Sequence, residues 1–322
     1  MALGSSGASE IFRSLGDPTR LRIVRLLRAM ELTVGELAQV LGQSQPRVSR
    51  HVKILIDAGL VDRRKEGSWV FLSLGEKGRV DPLFATLDGW AERDGEDPWT
   101  LADAARLAAV RADRAAAAER YFAAHAKDWD EIRSLHIAES EVEAAIGRAL
   151  GDREMGRLVD IGTGTGRMLQ LFATRARAAI GVDRSPEMLR LARVKLAEAG
   201  LPGADLRQGD MYALPLVSGC ADTVIIHQVL HYAQQPAAAV AEAARLLGAG
   251  GRLLIVDFAP HEREELRLRD AHVRLGFADE TMLKYLEEAG LEGRVVERLE
   301  GGELTVTIWL GERAEARLKV VA

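Results

Sequence analysis

The chain has one cysteine, Cys220, in 322 residues. No intramolecular disulfide can form, and a thiolate-rich zinc site is excluded. Aromatic residues make up 5% of the chain and prolines number nine. No apolar run approaches the roughly eighteen residues a membrane span needs. The start, MALGSSGASEIFRSLGD, has no basic stretch followed by a long apolar core, so no secretory signal is expected there. These absences fit a reducing cytoplasm. Proline and glycine are also missing between Pro98 and Gly147. The segment LADAARLAAVRADRAAAAERYFAAHAKDWDEIR inside that gap is rich in Ala, Arg and Glu, all strong helix formers. It reads as one or two long helices joining two domains, with a boundary in the polar ERDGEDP at 92–98. No internal repeat is visible.

What is present is ordinary for a globular protein of about two domains: 48% hydrophobic and 28% charged residues. The charge is uneven. Residues 1–75 hold eleven Lys/Arg against seven Asp/Glu, a formal +4, which leaves −9 to the rest of a chain whose total is −5. A basic front on an acidic body implies that only the front meets nucleic acid.

In that front, three helical patterns precede two short strands. Ser44 is placed to cap the third helix, with Pro46 in its first turn. Val48, Val52, Leu55 and Ile56 then share one apolar face. The opposite face carries Arg47, Arg50 and Lys53, with Ser49 and Gln45 beside them. A short helix with such a face suits a major groove, where arginine pairs with guanine edges or with phosphates. VDRRKEGSWVFLSL reads as a hairpin whose tip holds Arg63, Arg64 and Lys65 for the neighbouring backbone. An ordinary solvated charged face is the competing reading, and the coincidence of helix, turn, helix and basic hairpin weighs against it.

Those stretches (LGDPTRLRIVRLL, VGELAQVLGQSQPRVSRHVKIL and AGLVDRRKEGSWVFLSL) resemble the ArsR family of bacterial repressors over about residues 8–90. The resemblance implies a winged-helix homodimer on double-stranded operator DNA, with a seam around Ile11 and around Phe84–Trp90. Metal-sensing members carry a Glu-Leu-Cys-Val-Cys box. Here the stretch is ELTVGEL, with Thr33 and Gly35 where the cysteines would stand, so metal sensing through this box is not expected.

Residues 158–312 alternate β-branched runs with helical patterns, which implies an α/β fold with a mostly parallel sheet. The candidate strands are Leu158–Ile161, Ala179–Asp183, Asp205–Gln208, Asp222–His227, Arg252–Phe258, Arg294–Leu299 and Leu304–Leu310. The last two lie too close for a helix between them and suggest an antiparallel edge hairpin. Between the first strand and its helix runs VDIGTGTGR. Gly162, Gly164 and Gly166 let the backbone turn tightly and approach a ligand. The dinucleotide pattern would need glycine at 167, where Arg167 stands. Asp183, twenty-one residues after Gly162, is placed to accept bonds from both ribose hydroxyls. Asp210 suits an adenine amino group with Met211 beside the ring, and Asp160 suits an α-ammonium.

VDIGTGTG, GVDRSPEML, QGDMYALPL, ADTVIIHQVLHY and LLGAGGRLLIVDF together resemble the class I S-adenosylmethionine-dependent methyltransferases, over roughly residues 120–312. The resemblance implies a Rossmann-like domain holding S-adenosylmethionine or S-adenosylhomocysteine across the carboxyl ends of its strands. Asp160, Gly162 and Gly164 would lie near the methionine moiety, Asp183 would hold the ribose, and Asp210 and Met211 the adenine, with Thr163, Gly166, Arg184 and Met188 also in the cofactor site. His227 and Gln228 would close one wall, and Tyr121 and Trp129 are candidate covers, with plain core packing as the alternative.

Methyl transfer asks little of a protein beyond alignment and proton removal. His227, His231 and Tyr232 are the candidate catalytic residues, with His261 behind them. His227 and His231 have the i, i+4 spacing of a metal pair on a helix, but no third ligand accompanies them, so no metal is expected. HEREELRLRDAHVRLGFADETMLKYLEEAGL reads as two helices over the acceptor side. The expected division is a winged-helix domain at 1–95, a helical connector at 96–120, a methyltransferase-type domain at 121–312 and a tail at 313–322. Two functions compete. One is a homodimeric transcriptional regulator, a repressor, gated by the pocket's ligand, with methionine-cycle genes as candidate targets. The other is a working small-molecule methyltransferase with an autoregulatory DNA-binding domain.

Overall fold

Asp17 opens the first long helix by accepting N–H bonds from Thr19 at 2.8 Å and Arg20 at 3.3 Å, with Pro18 in the first turn. The computed structural model describes residues 5–66, 69–94, 97–125, 138–201, 204–300 and 302–315. They fall into two compact units, 1–117 and 118–322. The front unit runs α1 Ser5–Leu15, α2 Pro18–Ala29, β1 Leu32–Thr33, α3 Val34–Leu41, α4 Gln45–Asp57, β2 Val61–Glu66, β3 Trp69–Leu74 and α5 Lys77–Asp94. The helix α6, Pro98–His125, begins in it. Three strands pair antiparallel in the order β1-β3-β2. Ile23, Leu37, Val48, Leu55, Leu60 and Leu72 are buried at its centre. Leu107 and Val110 of α6 pack into the same core.

The back unit is a seven-stranded sheet in the order β6-β5-β4-β7-β8-β10-β9. Its strands are β4 Arg157–Ile161, β5 Ala178–Asp183, β6 Asp205–Gln208, β7 Ala221–His227, β8 Leu247–Phe258, β9 Glu292–Leu299 and β10 Val306–Glu312. The first five in that order are parallel, and β10 runs antiparallel to both neighbours. This is the α/β, mostly parallel sheet the sequence pattern implies. Val224–Ile226 and Leu253–Val256 are buried throughout, as strands covered on both faces must be.

Three expectations change in detail. β8 starts at Leu247 rather than Arg252, because Leu247 already pairs with Ala221 before a register shift resumes at Thr223 and Arg252. The closing hairpin lies at the edge, but its second strand is the inner one, between β8 and β9. HEREELRLRDAH supplies only a five-residue helix, Glu265–Arg269, followed by a non-helical run before the helix Asp279–Glu288. Trp129 and residues 316–322 of the expected tail lie outside the described residues.

Candidate ligand pocket and nucleic-acid interface

Val48, Val52 and Leu55 turn one face of α4 into the core. That rotation leaves Ser44, Gln45, Arg47, Ser49, Arg50 and Lys53 exposed together. Ser44 occupies the N-cap position, but its side chain makes no capping bond, so its hydroxyl is not committed to the helix. The wing differs from the expectation. Arg63, Arg64 and Lys65 lie along β2 rather than at the hairpin tip, opposite Leu72, Phe71 and Val70. Strand alternation then separates them. Arg63 and Lys65 are exposed, whereas Arg64 points to the Phe71 side and pairs with Glu31 at 3.0 Å.

The stretch ELTVGEL holds a helix cap. Thr33 Oγ1 accepts the Glu36 N–H at 3.3 Å, and Glu36 Oε2 accepts the Thr33 N–H at 2.8 Å. This reciprocal capping box starts α3.

Behind β4 the glycine loop closes on itself. Gly162, Gly164 and Gly166 have φ of 70°, 53° and 84°, the left-handed region that side chains disfavour. The amides of Gly162 and Thr163 both donate to the Val182 carbonyl, at 2.8 and 3.0 Å. The Gly166 amide donates to the Thr163 carbonyl at 2.8 Å, and the Gly164 amide to Asp183 Oδ2 at 2.8 Å. A pyrophosphate cradle needs such amides free to meet phosphate oxygens. Here four of them already have partners. The loop therefore suits a nucleoside ligand without phosphate.

The carboxylates fit the same ligand class. Asp183 ends β5 and is half-buried, with Oδ1 accepting the Ser185 N–H at 2.8 Å. Burial pushes its carboxyl above the ordinary range, against the pull of the Ser185, Gly164 and Arg184 amides. Asp160 is buried beneath the loop and accepts the Thr163 hydroxyl at 2.6 Å. Asp210 and Met211 are half-buried, and Asp210 Oδ1 accepts the Tyr212 N–H at 3.1 Å. Met188 is buried in the first turn of the helix Pro186–Glu198, whereas Arg184 is exposed. Three carboxylates, Asp160, Asp183 and Asp210, thus stand at or just past the ends of three neighbouring strands.

His227 and Gln228 are buried at the end of β7. They do not share a helix with His231. His227 belongs to the strand and His231 to the short 3-10 turn Leu230–Tyr232, so the one-face geometry of a helical i, i+4 pair does not arise. Among the described residues no group of three or more His, Cys, Asp or Glu could hold a metal ion. Tyr232 is poorly suited to be a base, because burial and the nearby Tyr121, Asp270 and Asp257 hold its hydroxyl protonated. Tyr121 reaches Asp270 Oδ1 at 3.3 Å, and burial, then Asp270, raises its pKa likewise.

Sequence reasoning missed Asp257, Asp270, His272 and Arg274, all buried in this unit. Asp257 had a readable signal, an acid at the carboxyl end of the apolar strand LLIVDF. The other three follow it in a segment whose charge reads as solvated surface.

Comparison with known proteins agrees with both halves. A family model described as bacterial regulatory protein, arsR family, matches residues 17–63, and one described as methyltransferase domain matches 159–255. The arsenical resistance operon repressor of Escherichia coli is 38% identical over 91 residues, which cover 28% of this chain and 70% of that one. A phosphatidylethanolamine N-methyltransferase of Cereibacter sphaeroides is 37% identical over 112 residues, 34% of this chain. The chain spans 55% of that relative's length. The structure of the YcgJ protein of Bacillus subtilis aligns with a TM-score of 0.49 at 20% identity, over 55% of this chain and 99% of the other.

Proposed function

We propose a ligand-gated repressor, on the premise that the chain belongs to the ArsR family of bacterial regulatory proteins and carries a methyltransferase domain behind its DNA-binding front. S-adenosylmethionine or S-adenosylhomocysteine binds the glycine loop and shifts the affinity of α4 for operator DNA. The carrying observation is the capping box at Thr33 and Glu36. Where relatives would bind metal, this chain has a helix start, so the signal enters elsewhere. The phosphate-free loop of the back unit, with Asp160, Asp183 and Asp210 around it, supplies a receiver of the right chemistry.

On this reading Arg47, Arg50, Lys53, Arg63 and Lys65 meet DNA, with Ser44, Gln45 and Ser49 at base edges or phosphates. Arg64 acts mainly through its pair with Glu31. Phe12 on α1 and Trp90 on α5 are exposed apolar side chains and would form the seam of a cytoplasmic homodimer. The functional division is 1–95 for DNA and dimerisation, 96–120 for the connector and 121–312 for the ligand. Met188 and Gln228 complete the pocket, with Arg184 at its rim.

Promoter DNA binding by fluorescence anisotropy at fixed salt tests the reading. A roughly tenfold shift of Kd with either ligand, about 1.4 kcal/mol of coupling, lies in the range of known allostery. An unchanged Kd with both ligands would overturn it. The second reading, turnover on a small-molecule acceptor, is favoured by the buried pair of His231 and Asp257.

A further inference from the structure

Asp257 is the penultimate residue of β8 and is fully buried. Its Oδ1 lies 2.8 Å from His231 Nδ1 and accepts the Phe258 N–H at 2.8 Å, while Oδ2 accepts the His231 N–H at 3.2 Å. A carboxylate and an imidazole taken from water are a poor way to build a core, since apolar side chains fill the same space without that penalty. The pair is also next to the glycine loop. A Cβ added to Gly162 would lie 2.5 Å from Val229, two residues before His231.

The chain around the pair is held in unusual conformations. The Val273 and Arg274 amides donate to the His231 carbonyl at 3.0 and 2.9 Å, folding the segment after β8 over it. Among the described residues, two that are not glycine have positive φ, Gln228 at 51° and Ala271 at 56°. One immediately follows His227 and the other immediately precedes His272. Strain of this kind collects at ligand sites. Rings pack directly around His231: it stands 4.0 Å from Tyr232, 4.3 Å from His272 and 5.0 Å from Phe258, centroid to centroid. Tyr232, Phe122 and Tyr121 are half-buried and carry this wall to the surface.

We propose that this cluster is a second ligand site beside the glycine loop, that it takes a small planar molecule bearing an aromatic hydroxyl, and that His231 removes the hydroxyl proton. The bond to Asp257 places hydrogen on Nδ1 and leaves the lone pair on Nε2. Every hydrogen bond of the His231 ring among the described residues runs through Nδ1. On transfer the O–H bond breaks, its electron pair stays on oxygen and the proton joins Nε2, with Asp257 opposing the imidazolium charge. The ring-lined walls select a flat ligand. The charges select an acid over an amine. Asp257 is committed to His231 and Asp270 to Arg269 at 2.8 Å, while buried Arg274, anchored to the Gln234 carbonyl at 2.8 Å, adds positive charge. For its purpose the proposal rests on the S-adenosylmethionine reading, since an oxyanion is what a sulfonium methyl donor asks of an acceptor. Its test does not.

The test adds the full chain to 4-nitrophenol at a pH where the free phenol is mostly neutral. The phenolate absorbance should rise with protein and saturate, and His231→Gln should weaken this at least tenfold. Nitrogen-15 NMR of His231 in the unmutated chain gives a reading that does not depend on the variant folding: Nε2 should move to its protonated position as the phenol is added. No phenolate band with the unmutated chain, a band that survives in His231→Gln, or an unmoved Nε2 would each overturn the proposal. Calorimetry with S-adenosylhomocysteine is run in parallel. Its failure would sink the pocket reading while leaving the phenolate result standing.

Discussion

Replacing Asp103 by leucine should loosen the start of α6 far more than its single charge suggests. Asp103 is 4% exposed and takes both prongs of the Arg22 guanidinium, Nε to Oδ2 and Nη2 to Oδ1, each at 2.6 Å. The hydrogen bond to Asp103 is the first cause holding Arg22 above its usual range. Hydrogen bonds to charged groups contribute about 1.5–3 kcal/mol each, and two on one fork are not independent. The Arg22 side chain is 15% exposed, so water recovers little once the carboxylate is gone. A loss of about 2–4 kcal/mol follows, on the lower side of breaking a fully buried pair. Hydrogen exchange of residues 98–111 in the full chain measures it, since local opening is read directly in protection. Protection should fall roughly 30- to 1000-fold, at about 1.4 kcal/mol per tenfold. Asp88→Leu is the internal contrast. Its pair with Arg28 is half exposed on both sides and should leave protection unchanged. Protection within about threefold of the original in Asp103→Leu, or equal losses in both variants, would refute the reasoning.

Other expectations follow from the same geometry. Thr33→Ala removes the capping oxygen of α3 and should lower stability by about 1 kcal/mol, seen as a lower denaturation midpoint with an unchanged slope. Arg50→Ala should weaken operator binding and, where the contact is to phosphate, flatten the salt dependence by about one unit, read from a plot of log Kd against log salt. Asp183→Ala should raise the Kd for S-adenosylhomocysteine at least about tenfold in calorimetry, because a charged acceptor of ribose hydroxyls is lost. The carboxyl of Asp183 is raised by burial, so it holds its proton to a higher pH in the fold than in the unfolded chain. Its contribution to stability is present below the ordinary carboxylate range and is lost as pH rises through the raised value. Ligand affinity has the opposite sign: it should start to fall on acidification at a higher pH than an exposed Asp would give, and Asp183→Asn should remove that dependence.

Much of the fold is written in local pattern. The seven expected strands are all present: β4, β7 and β8 are short apolar runs buried on both faces, whereas β6 and β9 are polar strands at the two sheet edges. The early start of β8 was hidden in Leu247–Gly251, whose glycines carry no strand signal. The outward face of α4 was readable because burial of Val48, Val52 and Leu55 dictates what points away. The Thr33–Glu36 cap was legible as a Thr-x-x-Glu pattern, yet it reads first as a metal box without its cysteines. Long-range pairings were not legible. Arg64 meets Glu31 and His231 meets Asp257 only because elements far apart in the sequence bring them together. The helical spacing of His227 and His231 has no counterpart in the fold, since the strand ends between them.

The central claim is that one free energy links the back unit's pocket to operator DNA, and such coupling is reciprocal. The most direct measurement is a calorimetric titration of S-adenosylmethionine and S-adenosylhomocysteine into the full chain, first free and then saturated with promoter DNA. The account predicts that Kd for at least one ligand differs about tenfold between the two states. Equal constants for both ligands, with and without DNA, would contradict it.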